Sequence, residues 1–203
     1  MSLRAELTGE TVDAPGFAVL LPAGWQALDA DLAGSTDQMD AALKGFPEST
    51  RVLLRARISA MLASARAQSA EARVARVFAP SASSPDEYVP ANLVASWISA
   101  PSGTSIQQMG ADLISRRGAE TMDAGGSILR WQTDQTTVVE GGEVEVAGHG
   151  YLLPAPRPAA TALMFRSQIL RSAQGAIVSD EGIAAMSLVC DAIVASVRWQ
   201  RAA

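Results

Sequence analysis

Residues 128–152 read ILRWQTDQTTVVEGGEVEVAGHGYL, and this stretch decides the fold class. Two runs rich in β-branched and aromatic residues, 128–139 and 143–152, flank Gly141-Gly142. A Gly-Gly pair supplies the positive φ angles that a tight two-residue turn requires. The second run begins with alternating Glu and Val, which is typical of a strand with one wet and one packed face. The stretch therefore predicts an antiparallel β-hairpin.

Elements on both sides of this hairpin follow from hydrophobic periodicity and from turn signals. Further strands are predicted at 17–21, 25–28, 74–78, 93–98 and 162–170. Helices are predicted at 35–44 and 47–69, at 104–117, and from Ser179 or Asp180 to Val197. This order predicts an α+β fold, an antiparallel β-sheet covered by helices, in a single domain spanning residues 1–203.

The helix predicted before the hairpin has signals at both ends. Residues 104–107, Thr-Ser-Ile-Gln, fit a capping box that starts at Thr104. Arg116, Arg117 and Gly118 end the helix, because cations suit the negative end of the helix dipole and glycine suits the left-handed cap. The side chains predicted to be buried are Ile106, Met109, Leu113 and Ile114.

The last predicted helix is apolar enough to be mostly buried. Its apolar stripe consists of Ile183, Met186, Cys190, Ile193 and Val197, widened by Leu188, Val189 and Val194. The most apolar segment of the sequence, 183–197, is interrupted by Asp191 and Ser196.

Composition limits the function classes. Of the 203 residues 48% are hydrophobic and 18% are charged, which is enough apolar material for a sizeable core. The net charge of −5 argues against a nucleic-acid partner, which would need a positive surface. All but one of the 16 basic residues are arginine, Lys44 being the exception, and together with the high alanine content this indicates a GC-rich bacterial genome.

The sequence also bears on compartment. Cys190 is the only cysteine, so an intrachain disulfide and a cysteine-based zinc cluster are excluded. No stretch reaches the roughly 18–20 apolar residues that span a bilayer. The start of the chain has no leader pattern. The interpretation is a cytoplasmic protein, or a secreted or membrane-anchored one if a leader has been removed.

Both ends of the chain resemble the PsbP-like/Mog-type family, which includes actinobacterial lipoproteins. Residues 17–25, FAVLLPAGW, are similar to the first-hairpin pattern of that family, aromatic-x-apolar-x-apolar-Pro-x-Gly-Trp. Residues 190–199, CDAIVASVRW, are similar to its terminal helix and the strand-like step that follows it. The resemblance implies an α/β/α sandwich that mainly binds proteins or complexes, without a shared set of catalytic residues.

Three groups are candidates for catalysis or metal binding. His149, flanked by Gly148 and Gly150, could act as a general base to which a substrate approaches closely, but the favoured interpretation is a structural strand residue. Cys190 would be a nucleophile only if exposed, and its place on the apolar stripe predicts a core thiol. Asp29 and Asp31, with Asp37 and Asp40, could hold a hard cation, although solvated carboxylates are favoured. The prediction is no catalytic residue, no metal and no cofactor.

A basic stretch is the strongest functional signal. It comprises Arg51, Arg55, Arg57, Arg66, Arg73 and Arg76 in an otherwise acidic protein. A basic helix face can recognise an acidic partner, and the alternative is a solvated face. Arg51 and Arg55 are the predicted partner-binding residues, together with Trp25 as an interface anchor; for Trp25 the alternative is a core position.

Three functions remain open at this point. The first is a non-catalytic module that binds a protein partner or a second copy of itself. The second is a small-molecule pocket for an apolar or anionic ligand, located between the sheet and the helices. The third is an enzyme that uses His149 or the pair Asp29 and Asp31. The first is the favoured hypothesis.

Overall fold

The computed structural model describes residues 14–29, 72–81, 91–123, 125–139, 142–156, 160–173 and 176–200. The strands are β1 (Phe17–Ala18), β2 (Trp25–Asp29), β3 (Val74–Pro80), β4 (Ala91–Ser99), β5 (Glu120–Thr121), β6 (Leu129–Gln132), β7 (Gln135–Val139), β8 (Gly142–Ala147), β9 (His149–Pro154), β10 (Thr161–Ala173), β11 (Ala176–Ile177) and β12 (Arg198–Trp199). The helices are α1 (Ile106–Arg117) and α2 (Asp180–Ala195). The helices predicted at 35–44 and 47–69 lie outside the described residues.

The sheet is antiparallel and has ten strands within the described residues. Its main path runs β2-β3-β4-β10-β9-β6-β5, with β8 and β11 also on β10 and β7 on β8. The long strand β10 lies at the centre of this path. The α+β class and the antiparallel sheet expected from the sequence are confirmed, and strands outnumber helices in the described part of the chain.

The hairpin predicted within residues 128–152 is present, and each of its two arms is interrupted, between β6 and β7 and between β8 and β9. Its outer part pairs β6 with β9, and its inner part pairs β7 with β8. The register places Val139 opposite Gly142, so Gly142 is the first residue of a strand. The prediction that Gly141-Gly142 forms the turn is therefore wrong, because Gly142 already belongs to the ladder.

Residues 17–25, whose pattern resembles a first hairpin, do not form a hairpin of two paired strands. Gly24 has a φ of 79° and forms the turn before β2. However, β1 pairs with β12 near the end of the chain, and β2 pairs with β3. The two strands of this segment therefore pair with different parts of the chain, β12 and β3, and not with each other.

Helix α1 begins one residue later than predicted. Ser105 is the N-cap: its hydroxyl accepts a hydrogen bond from the Gln108 backbone N–H, and the Gln108 side chain accepts one from the Ser105 backbone N–H. Thr104 instead donates to the Pro101 carbonyl, 2.7 Å away. Gly118 ends the helix with a φ of 62°, as predicted. Ile114, predicted to be buried, is 50% exposed.

Helix α2 begins after Ser179, whose side chain caps it by accepting from the Gly182 backbone N–H. Cys190, Ile193 and Val194 are fully buried. Leu188, placed on the buried stripe by the sequence, is 68% exposed. The stripe is therefore narrower than predicted, because the helix rests on the sheet with one side only.

The two helices pack against opposite faces of the sheet. Side chains alternate along β9 and β10, so Leu153, Leu163 and Phe165 face α2, and Leu152 and Ala162 face α1. The larger core cluster lies under α2 and includes Phe78, Leu93, Tyr151, Cys190 and Ile193. The smaller cluster lies under α1 and is built on Ile106 and Trp131.

Candidate functional site: a polar concavity beside helix α2

The sheet face that α2 covers changes from apolar to polar toward the edge strand β5. In antiparallel strands, residues directly opposite one another share a face. Glu120 lies opposite Arg130, and Arg130 lies opposite Tyr151. In the neighbouring row Gln132 lies opposite His149. These two rows form a polar floor beside the apolar area on which α2 rests.

One carboxylate from α2 ties this floor to the helix. Tyr151 Oη donates a hydrogen bond to Asp191 Oδ1 at 2.8 Å. Arg130 Nε lies 3.0 Å from the same oxygen. The Arg130 N–H is not directed at that oxygen, so within the part of the chain that the structure describes the buried Nε has a charge contact but no hydrogen-bond partner. The three side chains thus form a fixed cluster between strand and helix.

The environment of Tyr151 keeps its hydroxyl protonated. Burial raises the pKa of Tyr151 far above its ordinary value, and the hydrogen bond to Asp191 adds to that rise. The hydroxyl therefore remains a donor to Asp191 at every pH at which proteins are usually stable.

His149 is held at the inner end of the second row. Its backbone N–H donates to Ser167 Oγ at 2.8 Å. Its Nδ1 is buried and has no hydrogen-bond partner within the described residues, and the residue lines the concavity beside α2. Burial lowers the pKa of His149, and the nearby Arg130 guanidinium lowers it further, outweighing Asp191 and Asp134. The imidazole is therefore neutral at pH 7.

Packing explains the two glycines beside His149. A Cβ on Gly150 would overlap the indole ring of Trp131, and one on Gly148 would overlap the backbone carbonyl of Ser167. The sequence alone suggests that the flanking glycines let a substrate approach His149 closely. They instead admit a tryptophan ring and a neighbouring strand.

The polar floor and Asp191 border an open concavity of about 400 Å³. It is lined by Gly118, Glu120, Thr121, Met122, Arg130, Trp131, Gln132, His149 and Asp191. The exposed Glu120 and Gln132 stand at its mouth. Gln132 Nε2 donates to Asp134 Oδ2 at 2.6 Å, which leaves its carbonyl oxygen as an acceptor.

A second cleft of about 340 Å³ lies on the opposite sheet face, beside α1. Its lining is Ile98, Met109, Asp112, Leu113, Arg116, Arg117, Trp131, Leu152 and Met164. Its walls are apolar, and its charged residues all come from the second half of α1. The two recesses share only Trp131 among their lining residues.

The remaining candidates from the sequence fall at several places. Arg51 and Arg55 lie outside the described residues. Trp25 is half-buried and packs against the larger core cluster. Arg73 precedes β3 with a φ of 51°, and Arg76 lies in β3. The basic stretch is therefore not a single helix face, because its last two members belong to a turn and a strand.

Cys190 is fully buried, as its position on the apolar stripe predicted. Burial raises the pKa of its thiol to about 12. The acidic candidates lie elsewhere: the backbone of Asp29 belongs to β2, whereas Asp31, Asp37 and Asp40 lie outside the described residues. Within the part of the chain that the structure describes, no group of three or more His, Cys, Asp or Glu side chains is placed to hold a metal ion.

Sequence reasoning missed the central cluster of Arg130, Tyr151 and Asp191. A signal was present, since Asp191 interrupts the most apolar helix and such a carboxylate needs a partner. The register that brings Arg130 and Tyr151 under Asp191 could not be read from the sequence. Neither helix of the described residues is long and apolar enough to cross a membrane. Comparison of the sequence with models of known protein families and with curated proteins gives no match.

Proposed function

We propose that the protein is a non-catalytic binding module that takes a polar part of a protein partner into the concavity beside α2. The main support for this proposal is the preformed cluster in which Asp191 of α2 contacts Arg130 and Tyr151 of the polar floor. Side chains fixed in advance lose little freedom when a partner binds, which favours affinity. The concavity is large enough for a polar side chain or a turn of a partner.

The contacts within the concavity support binding over catalysis. The Tyr151 hydroxyl and the Asp191 carboxylate are hydrogen-bonded to each other. A histidine general base is ordinarily oriented by a hydrogen bond to its second nitrogen, whereas His149 Nδ1 has no partner within the described residues. The functional groups at the mouth, Glu120 and Gln132, are suited to hydrogen bonding with a partner surface.

The resemblance of both chain ends to the PsbP-like/Mog-type family supports the same proposal. That resemblance implies a sheet with helices on both faces, and α1 and α2 do lie on opposite faces. It also implies a protein that binds proteins or complexes. We propose this family relationship together with the binding function, since fold alone does not determine function.

A matched pair of variants tests the proposal. Gln132→Trp fills the mouth of the concavity, and Gln107→Trp adds the same ring to an exposed position on α1. Immobilised wild-type and variant chains are exposed to an extract of the source cells, and bound proteins are quantified by mass spectrometry. The expected result is a partner whose recovery falls at least tenfold with Gln132→Trp and is unchanged with Gln107→Trp. Titration calorimetry with that purified partner should reproduce the difference.

Equal recovery by both variants, with both still folded by circular dichroism, would contradict the proposal. The same assay tests the basic stretch. If Arg51 and Arg55 contribute, reversing both to Glu should weaken binding of the same partner without unfolding the protein. Unchanged binding would remove both arginines from the binding site and leave the concavity as its only tested component.

A further inference from the structure

The cleft beside α1 is a second recess with a different chemistry. Its volume of about 340 Å³ lies in the range of small-ligand pockets, which are mostly apolar with a few placed polar groups. On the sheet side it is walled by Ile98, Leu152 and Met164. On the helix side Met109, Leu113 and Arg116 lie three or four residues apart and so share one stripe of α1.

The apolar walls suit a flexible chain. Met109 lines the cleft from the helix and Met164 lines it from the sheet, and methionine side chains adapt to irregular apolar shapes. The largely buried Trp131 ring lies at the base of the recess and is held in place by its contact with Gly150. A recess with these walls would bury hydrocarbon.

The charges of the cleft are concentrated at its rim and sum to +1, from Arg116, Arg117 and Asp112. Arg116 Nε is 4.0 Å from Asp112 Oδ1, and the two side chains are 79% and 65% exposed, so this pair contributes little. Arg117 has no ion-pair or hydrogen-bond partner within the described residues. Two guanidinium groups at the mouth of an apolar cleft are complementary to a carboxylate, which arginine binds through paired hydrogen bonds.

We propose that this cleft binds a carboxylate amphiphile, with the hydrocarbon chain between α1 and the sheet and the carboxylate at Arg116 and Arg117. A membrane surface of anionic lipid offers similar chemistry but fits the helix less well. A helix that lies on a membrane presents a continuous apolar face. Of the described residues of α1, Ile114 is the one exposed large apolar side chain, and Gln107 and Arg117, seven and three positions away on the same side, are polar. The proposal does not depend on the function assigned to the polar concavity.

The test titrates isotope-labelled full chain with decanoate and decylamine below their micelle concentrations, and with decanol below its solubility limit, and follows the amide and indole NMR signals. We expect saturable shifts at Leu113, Met164 and the Trp131 indole, with decanoate bound at least tenfold more tightly than decanol and decylamine. Replacing both Arg116 and Arg117 by Gln should reduce decanoate affinity to the level of decanol. Asp112→Asn should strengthen decanoate binding severalfold, because it removes the like charge from the rim.

A matched control replaces two arginines that do not line the cleft, the half-buried Arg171 and the exposed Arg198, by Gln and should leave decanoate affinity unchanged. Three results would overturn the proposal: no saturable shift at the cleft with decanoate, equal affinity for decylamine, or binding only to vesicles containing phosphatidylglycerol. The Gln132→Trp variant should bind decanoate normally. A loss there would mean that the two recesses are coupled, which would overturn the independence of the cleft.

Discussion

At the scale of single residues, Asp191 determines how α2 meets the sheet. It is the one charged residue of the apolar second half of α2, and its carboxylate accepts a hydrogen bond from Tyr151 while it contacts Arg130. Ser196, the other interruption, accepts a hydrogen bond from the Leu20 backbone N–H at 2.8 Å. Both interruptions could be recognised in the sequence, but their partners lie 40 and 176 residues away along the chain. Only the folded register brings those partners close.

A second residue-scale feature is the contact between Gly150 and the Trp131 ring. Gly150→Ala should lower the free energy of unfolding by about 1–3 kcal/mol, because the new Cβ overlaps the indole and the core must shift. Urea denaturation measures this change. In the double variant with Trp131→Leu the cost of the alanine should nearly vanish. Additive costs would show that the ring does not set the requirement for glycine.

The ionisation of His149 makes a prediction about pH. Its folded pKa is lowered, so the unfolded chain binds more protons as the pH falls through the ordinary histidine value of about 6.5. This contribution to stability is fully present above pH 6.5 and is lost as the pH falls below it. Urea denaturation of wild type and His149→Gln between pH 5 and 7.5 should give a steeper decline for wild type. Parallel pH profiles would contradict the burial of a neutral imidazole.

At the scale of elements, boundaries were harder to predict than the elements themselves. The strands expected at 74–78, 93–98 and 162–170 are present as β3, β4 and β10, because runs of β-branched and aromatic residues fit a half-buried sheet. The sequence predicts the N-cap of α1 at Thr104, one residue before the observed cap at Ser105. Both are hydroxyl residues followed three positions later by Gln. Local sequence alone does not separate two overlapping capping boxes.

Two alanine substitutions distinguish an N-cap at Ser105 from one at Thr104. Ser105→Ala should cost about 1 kcal/mol of unfolding free energy, because it leaves a backbone N–H of the first turn without its side-chain acceptor. Thr104→Ala should cost less, since its hydroxyl only donates to the Pro101 carbonyl at an exposed site. Thermal denaturation of the two variants compares them directly. A larger loss for Thr104→Ala would favour the cap expected from the sequence.

At the scale of the whole molecule, the sequence predicted a class of fold but not its recesses. An antiparallel sheet with helices follows from periodicity and turn residues. Which helix covers which face depends on the register of β6, β9 and β10, and both recesses are consequences of that register. The polar concavity is lined by residues of β5, β6 and β9 together with Asp191 of α2, and the cleft is lined by residues of α1 and of β4, β6, β9 and β10. Neither depends on a local sequence motif.

The most direct test of the proposed binding site is site-specific photo-crosslinking of the full chain. A benzoyl-phenylalanine at position 132 lies at the mouth of the polar concavity, and one at position 107 lies on the exposed side of α1. After irradiation in an extract of the source cells, the proposed function predicts a discrete covalent adduct from position 132, competed by unlabelled wild-type protein, and none of that mass from position 107. The same adduct from both positions, or from position 107 alone, would contradict the assignment of the concavity as the partner site.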